Sequence, residues 1–266
     1  MIFMRPMNAS THARLAASGH MRKALSLLPR LAIGSAALAL VCLAGAPVSW
    51  RTGLLPLKAS FMLLSGAGLL GILAGILAAL ALLFAWRSLG RPRIALLFGV
   101  VVLGIVFIGV GWHLRHSHAP PINDITTDTE NPPAIVAALA ARQAEGSVSE
   151  VYGGPAVAKM QILAYPDIEP AILTMPISQA FDLALNTASS MPGWSVIASD
   201  SHSGTIEATQ ASFWYGFVDD IVIRVSVDGN GSRIDIRSHS RHGRGDLGVN
   251  AARIRKYLAA LKAAAH

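Results

Sequence analysis

"DIVIRVSVDGNGSRIDIRSHSR", residues 220–241, decides the fold. Ile221, Ile223, Val225 and Val227 alternate with Asp220, Arg224 and Ser226. Beyond a turn at 228–232, Ile234 and Ile236 alternate with Arg233, Asp235 and Arg237. A period of two puts alternate side chains on opposite faces of a strand, and Asp-Gly-Asn-Gly is hairpin chemistry. The stretch predicts two antiparallel strands, Asp220–Asp228 and Arg233–Arg241, with one apolar and one charged face. Working outward, Trp194–Ser199 and Gly204–Phe213 read as two more strands. Ser178 opens a helix to Ser190 with Ala180, Phe181, Ala184 and Leu185 on one stripe. A last helix starts near Asp246 and carries Ala251, Ile254, Leu258 and Leu261 on one face. A short helix is expected over Ala134–Gln143, after Pro132-Pro133. Tyr152–Pro176, with Pro155, Pro166, Pro170 and Pro176, reads as extended and irregular. The order predicts an α+β domain over residues 134–266: an antiparallel sheet of about four strands, packed by helices on its apolar face.

The rest of the chain is of a different kind. Of 266 residues, 53% are hydrophobic, with a mean hydropathy of +0.49, too apolar for a soluble domain alone. Three charge-free runs, 31–48, 59–86 and 94–112, have the length of transmembrane helices, with Trp50, Trp86 and Trp112 at their ends. Gly71 and Gly75, with Ala67 before them, form a small-residue stripe that would let a neighbouring helix approach closely. The fold class is therefore α+β behind an all-α transmembrane region of three helices (31–113), joined by an extended linker over 114–133. His113, His116 and His118 beside that linker lack a Cys or carboxylate partner and read as interfacial residues, with no metal site expected.

The pI of about 10.1 suggests a nucleic-acid binder until the charges are located. Residues 1–116 hold eleven Lys and Arg and no acidic residue. Residues 117–266 hold eleven basic and fifteen acidic residues, a net charge of −4. The basicity belongs to the membrane region, and a mildly acidic domain argues against nucleic acid as a partner. Arg22, Lys23 and Arg30 precede the first run, and Arg87, Arg91 and Arg93 separate the second from the third; the loop between the first two holds only Arg51 and Lys58. The positive-inside rule puts residues 1–30 in the cytoplasm and the domain in the periplasm of a bacterial inner membrane. A cleaved signal peptide ending at Ala44-Gly45-Ala46 is the rival reading of the first run, with Pro47 against it, and Met21 is an alternative start to Met1. The single cysteine, Cys42, lies in an apolar run, which leaves the domain without disulfide or thiolate chemistry.

Function points to one corner. Ser238 and Ser240 continue the inward parity of Ile234 and Ile236. His239-Ser240-Arg241-His242-Gly243-Arg244-Gly245 then leads into the start of a helix, where free N–H groups, the helix dipole and two or three Arg side chains can hold a phosphate, sulfate or carboxylate. Asp246 is the competitor: it is a good N-cap, and it can bridge to Arg241 or Arg237. Asn250 lies one turn further on. Asp219 and Asp220 point to opposite faces, so they are no catalytic pair; Asp219 has inward parity and can meet Arg237 or Arg241, or a cation. Arg224, Arg233 and Asp235 read as a solvated sheet face. The aromatic run Phe213–Phe217 reads as core, and Arg244-Gly245-Asp246 as a helix start rather than an adhesion motif. No nucleophile elbow, P-loop, dinucleotide fingerprint or zinc spacing occurs, and no cofactor is expected.

"INDITTDTENPP", "AYPDI", "GTIEAT", "FVDDIVIRV" and "RSHSRHGRGDLGVNAARI" resemble the domain-of-unknown-function family 1499, over about Pro121 to Leu261. The resemblance implies membrane helices in front of the domain and a bacterial setting; it implies no activity, cofactor or catalytic residue. Three readings stand. The first is a non-enzymatic envelope module that binds an anionic small molecule, lipid headgroup, glycan or protein partner through Asp219, Asp220, Arg237, Ser238, Ser240, Arg241, Asp246 and Asn250. The second is an envelope hydrolase with Asp219 or Asp246 as base. The third is a structural scaffold. In all three the lipid bilayer is a partner.

Overall fold

The computed structural model describes residues 9–265. The chain divides into two compact units, one ending at His116 and the other beginning at Ser117.

The first unit is three helices, α1 (Ala9–Arg51), α2 (Leu57–Ala85) and α3 (Arg91–Arg115), with a 3-10 turn, Trp86–Ser88, after α2. Leu25–Arg51, Leu57–Ser88 and Arg91–Arg115 are each long and apolar enough to cross a membrane. Their packing inverts the rule for water-soluble proteins. Ala32, Ala36, Ala74, Ala78 and Ala81 are buried, while Leu69, Leu83, Phe98 and Ile105 are exposed. In lipid an outward leucine costs nothing, and small inward residues let helices close on one another. Gly71 and Gly75 on α2 meet Gly104 on α3: a Cβ at Gly75 would lie 3.0 Å from the Gly104 Cα, and one at Gly104 would lie 3.3 Å from the Gly71 carbonyl oxygen. The Ser60 hydroxyl of α2 donates to the Ala46 carbonyl of α1 at 2.6 Å. The helix of α1 starts at Ala9, well before the expected span, and passes through Pro29 and Pro47. The choice between Met1 and Met21 as the start turns on residues of which 1–8, Met1 among them, lie outside those described.

The second unit is built on one antiparallel sheet of six strands: β1 (Asp124–Thr126), β2 (Ala171–Leu173), β3 (Trp194–Asp200), β4 (Thr205–Ala211), β5 (Val218–Asp228) and β6 (Gly231–Ser240). The strand order is β1-β6-β5-β4-β3, and β2 also pairs with β6. The expected four strands are there. The two extra ones are three residues each and share the far edge of β6, β1 opposite Arg237–His239 and β2 opposite Ser232–Ile234. β1 lies in the stretch expected to be a connector. Its outer edge is completed by a side chain: Gln161 receives the Thr126 N–H at 3.0 Å and donates to the Thr126 carbonyl at 2.6 Å.

Four helices follow the sheet's chain path: α4 (Leu139–Ala144), α5 (Gly154–Ala164), α6 (Ile177–Ser190) and α7 (Val249–Ala264). α5 corrects the expectation of an irregular 152–176. Pro155 occupies its first turn, where a missing N–H costs no hydrogen bond, so proline there starts a helix rather than breaking one. α4 starts five residues later than expected, because the preceding N–H groups of Val136, Ala137 and Ala138 all go to the Glu207 carboxylate, at 3.0, 2.7 and 3.2 Å. α6 and α7 cover the apolar face. Ile206, Ile221, Ile223, Val225, Ile234 and Ile236 there meet Ala180, Phe181, Ala184, Ile254, Leu258 and Leu261 in one core. Tyr257 stacks on Trp194 with ring centroids 5.5 Å apart and donates its hydroxyl proton to the Ala184 carbonyl.

The other face is covered over much of its extent. Asp235 is wholly buried beneath segment 127–150, fixed by Arg233, Arg224 and the Thr127 hydroxyl at 2.9–3.1 Å. The expectation that Arg224, Arg233 and Asp235 form an open face fails at Asp235; the two arginines keep 24% and 36% exposure. Burial raises the Asp235 carboxyl, but the two guanidinium groups outweigh it and hold the pKa below the usual value.

Candidate functional site

At the far end of β5 and β6 the sheet carries a polar network on each face, and the strand parity decides which residue joins which. On the helix face, Arg253 of α7 reaches the Asp219 carboxylate at 2.5 Å, the Gln210 amide oxygen at 2.6 Å and the Ser238 hydroxyl at 2.9 Å, and also donates to Asn250. Asn250 accepts from Ser238 at 2.6 Å and donates to Ser240 and to the Asn123 carbonyl, both at 2.9 Å. Asp246 accepts the N–H groups of Gly248 and Asn250, at 2.8 and 2.6 Å, so the carboxylate itself fills the start of α7. Burial raises its pKa, the two N–H donors pull it back, and the charge of Asp219 raises it again.

On the opposite face, Asp220 sits between two arginines, Arg142 at 2.6 Å and Arg241 at 2.7 Å. Arg241 also holds Glu145 at 2.6 Å, and Arg142 donates to the Val148 carbonyl at 3.0 Å. Next to them, Arg237 forks onto Asp124 through two bonds of 2.8 Å, donates to the Pro133 and Glu150 carbonyls, and lies 5.8 Å over the Tyr152 ring. Arg142 lies 3.4 Å from Nδ1 of His239, and the same Nδ1 is 3.6 Å from Asp124. Burial, then the positive charges of Arg142 and Arg237, push the His239 pKa down to about 3. Burial raises the Asp124 carboxyl, against the pull of Arg237.

The structure thus divides the eight residues expected at one site. Asp219, Ser238, Ser240, Asp246 and Asn250 lie on the helix face, and Asp220, Arg237 and Arg241 on the other. The expected bridges change partners: Arg241 takes Asp220 and Glu145, Arg237 takes Asp124, and Asp219 takes Arg253. Of the guanidinium groups expected to hold an anion, Arg237 and Arg241 are already occupied by carboxylates of the domain. Sequence reasoning missed Asp124, Arg142, Glu145, Gln210 and Arg253, and it named His239 only as part of the stretch before the last helix. Parity could have placed His239 with Arg237 and Arg241, and the helical spacing of three could have placed Arg253 beside Asn250; the partners of 124 and 142 had no local signal.

One open space adjoins the outer network, a cleft of about 360 Å³ between β1, the 148–153 loop, α5 and the turn after β6. Its walls include Ile122, Val148, Val151, Val157 and Met160. Asp124, His239 and Arg244 are its titratable lining groups. Arg244 is exposed and forms no ion pair among the described residues.

A comparison with curated proteins finds no match. Among solved structures, the crystal structure of Ara h 8.0201 is similar at 15% identity and a TM-score of 0.29, over 36% of this chain and 92% of its own. The sequence profile of a family described as protein of unknown function (DUF1499) matches residues 124–261, from the first residue of β1 into α7. That match takes in all six strands, both polar networks and just over half of the chain, and the chain belongs to this family.

Proposed function

We propose that the protein is a multi-pass protein of the bacterial inner membrane whose C-terminal domain stands in the periplasm as a non-enzymatic binding module for a small anionic ligand of the cell envelope. The observation that carries the non-enzymatic part is how the domain's buried carboxylates are engaged. Asp219 is held by Arg253, Asp220 by two arginines, Asp124 by Arg237, and both oxygens of Asp246 take backbone N–H groups. A general base needs a carboxylate open to the proton it removes, and the two aspartates expected in that role are engaged, Asp219 by Arg253 and Asp246 by two backbone N–H groups. The inner-membrane placement rests on the three apolar helices and on the basic residues that flank them.

The test has two arms. A reporter fused after His266 should be active only outside the cytoplasm; a cytoplasmic signal overturns the orientation. The full-length protein in detergent should melt at a higher temperature when small carboxylates or inorganic phosphate are added, since a ligand that binds the native state alone stabilises it. A melt unmoved by every anion removes the binding reading and leaves the scaffold.

A further inference from the structure

We propose that the cleft beside β1 binds an amphipathic monocarboxylate, with Arg244 taking the carboxylate and Ile122, Val148, Val151, Val157 and Met160 taking the apolar body. This rests on the binding reading above and names its site and ligand class.

Four observations carry it. The cleft, at about 360 Å³, lies at the small end of ligand pockets, which run from roughly 300 to 1,000 Å³. Its lining is mostly apolar, which suits a hydrocarbon body and excludes a highly hydrated polyol. Two of its lining side chains, Asp124 and His239, are polar yet 5% and 3% exposed, and both are held rigidly by Arg237 and Arg142 from behind. They give the cleft a fixed polar wall without a free charge, because Asp124 is already neutralised by the Arg237 fork. That leaves Arg244 as the lining charge with no ion pair among the described residues. A planar guanidinium group matches a carboxylate through two parallel hydrogen bonds. An amine would find its attraction to Asp124 already cancelled, and it would be repelled by Arg244.

The experiment uses the full-length protein in phosphatidylcholine nanodiscs, with its methionine methyl groups labelled with carbon-13. Met160 lines the cleft; Met175 and Met191 pack against the core away from it; Met62, exposed on the membrane unit, reports entry of a probe into the bilayer. Hexanoate is the probe. The Met160 signal, assigned by its loss in Met160→Leu, should shift saturably with hexanoate while Met175 and Met191 stay still. Acetate, which lacks the apolar body, and hexylammonium, which reverses the charge, should each bind at least about tenfold more weakly, a difference of one decade in affinity. Arg244→Glu changes an exposed side chain and should fold normally, yet weaken hexanoate by at least about tenfold. Equal binding of hexylammonium, or an unchanged affinity in Arg244→Glu, overturns the charge assignment. Equal binding of acetate overturns the apolar one. If Met175 or Met191 moves and Met160 does not, this cleft is wrong while the broader binding reading survives. If only Met62 responds to hexanoate, and inorganic phosphate moves none of the domain methyls, both fall.

Discussion

Asp219 and Asp220 leave the same strand in opposite directions, and each meets arginine in a different setting. On the helix face Arg253 shares its donors among one carboxylate and three neutral acceptors, Gln210, Ser238 and Asn250. On the outer face Asp220, 1% exposed, faces Arg142 and Arg241, and these reach on to Val148 and Glu145 of the covering segment. The difference follows from what holds each layer to the sheet. α6 and α7 adhere through a large apolar core, to which the Arg253 network adds an end. The covering segment shares with the sheet an apolar cluster of only Ile135, Ala138 and Val222. Its attachment is polar: Asp220 with Arg142, Arg241 with Glu145, Arg224 with Asp128, Arg237 with the Pro133 and Glu150 carbonyls, Glu207 with three backbone N–H groups, Asp235 with the Thr127 hydroxyl. The outer face is therefore a staple, and the inner one a core with a polar rim.

The most severe way to break this contrast is to remove each aspartate in turn. Asp220→Ala leaves two buried cations facing each other and should cost about 3–5 kcal/mol. Asp219→Ala leaves Arg253 with its neutral acceptors and should cost about 1–3 kcal/mol. Urea unfolding of the full-length protein in detergent, followed through the near-ultraviolet signal of the Trp194–Tyr257 stack, measures both. Equal losses would mean that the two faces are held alike.

A gentler probe is pH, because the outer network contains a buried neutral histidine. The folded pKa of His239 is about 3, depressed from its ordinary 6.5 by burial and then by Arg142 and Arg237. As pH falls from 6.5 toward 3, the unfolded chain takes up a proton that the folded one refuses. Stability is therefore whole above 6.5 and declines through that window, by up to about 1.4 kcal/mol per pH unit. Asp235, whose folded pKa is lowered, extends the loss below its ordinary 3.8. Asp246, whose pKa is raised, acts in the opposite sense. Replacing His239 with Asn should flatten the slope of the urea midpoint between pH 6.5 and the onset of carboxylate titration. A slope as steep in the variant as in the wild type would assign the acid sensitivity to other groups.

The hairpin of β5 and β6 was legible because alternation is local: each inward isoleucine is two residues from the next. Gly71 and Gly75 were legible for the same reason as a place where a neighbouring helix could approach, but that the neighbour is α3, through Gly104, was not. What the sequence hid was the cover on the charged face. Alternating Arg and Asp look the same whether they face water or a buried counter-charge, and the counter-charges come from far away: Asp124 lies 113 residues from Arg237, and Arg142 lies 78 from Asp220. β1 is too short to show a period, and its neighbours Pro121, Asn123 and Thr127 read as loop. α5 was hidden by counting prolines without asking where in a turn each one falls. The site suffered from the same blindness. Parity correctly separated Asp219 from Asp220, but it also separates Ser238 from Arg237, so a cluster that is contiguous in sequence could not be contiguous in space.

The smallest effect sharpens the comparison most, because it separates geometry from burial. Arg255 on α7 forks onto Asp167 at 2.5 and 2.6 Å, as short as any ion pair in the buried networks, and lies 5.3 Å over the Tyr165 ring. The Arg255 hydrogen bonds hold the Asp167 carboxyl below its usual pKa. Yet the two side chains keep 43% and 55% of their exposure. Water screens both charges before and after unfolding, and two long side chains lose freedom in pairing, so Arg255→Ala should cost less than about 1 kcal/mol. High salt should shrink even that, since exposed pairs are screened over roughly 10 Å at 0.1 M. The urea midpoint at low and high salt reads both effects. A loss approaching that of Asp220→Ala would mean that distance and fork geometry set the strength of an ion pair in this domain. A small, salt-sensitive loss would mean that the outer staple owes its hold to the removal of water around Asp220, Arg142 and Arg241, which segment 127–150 achieves only by lying where those same ion pairs keep it.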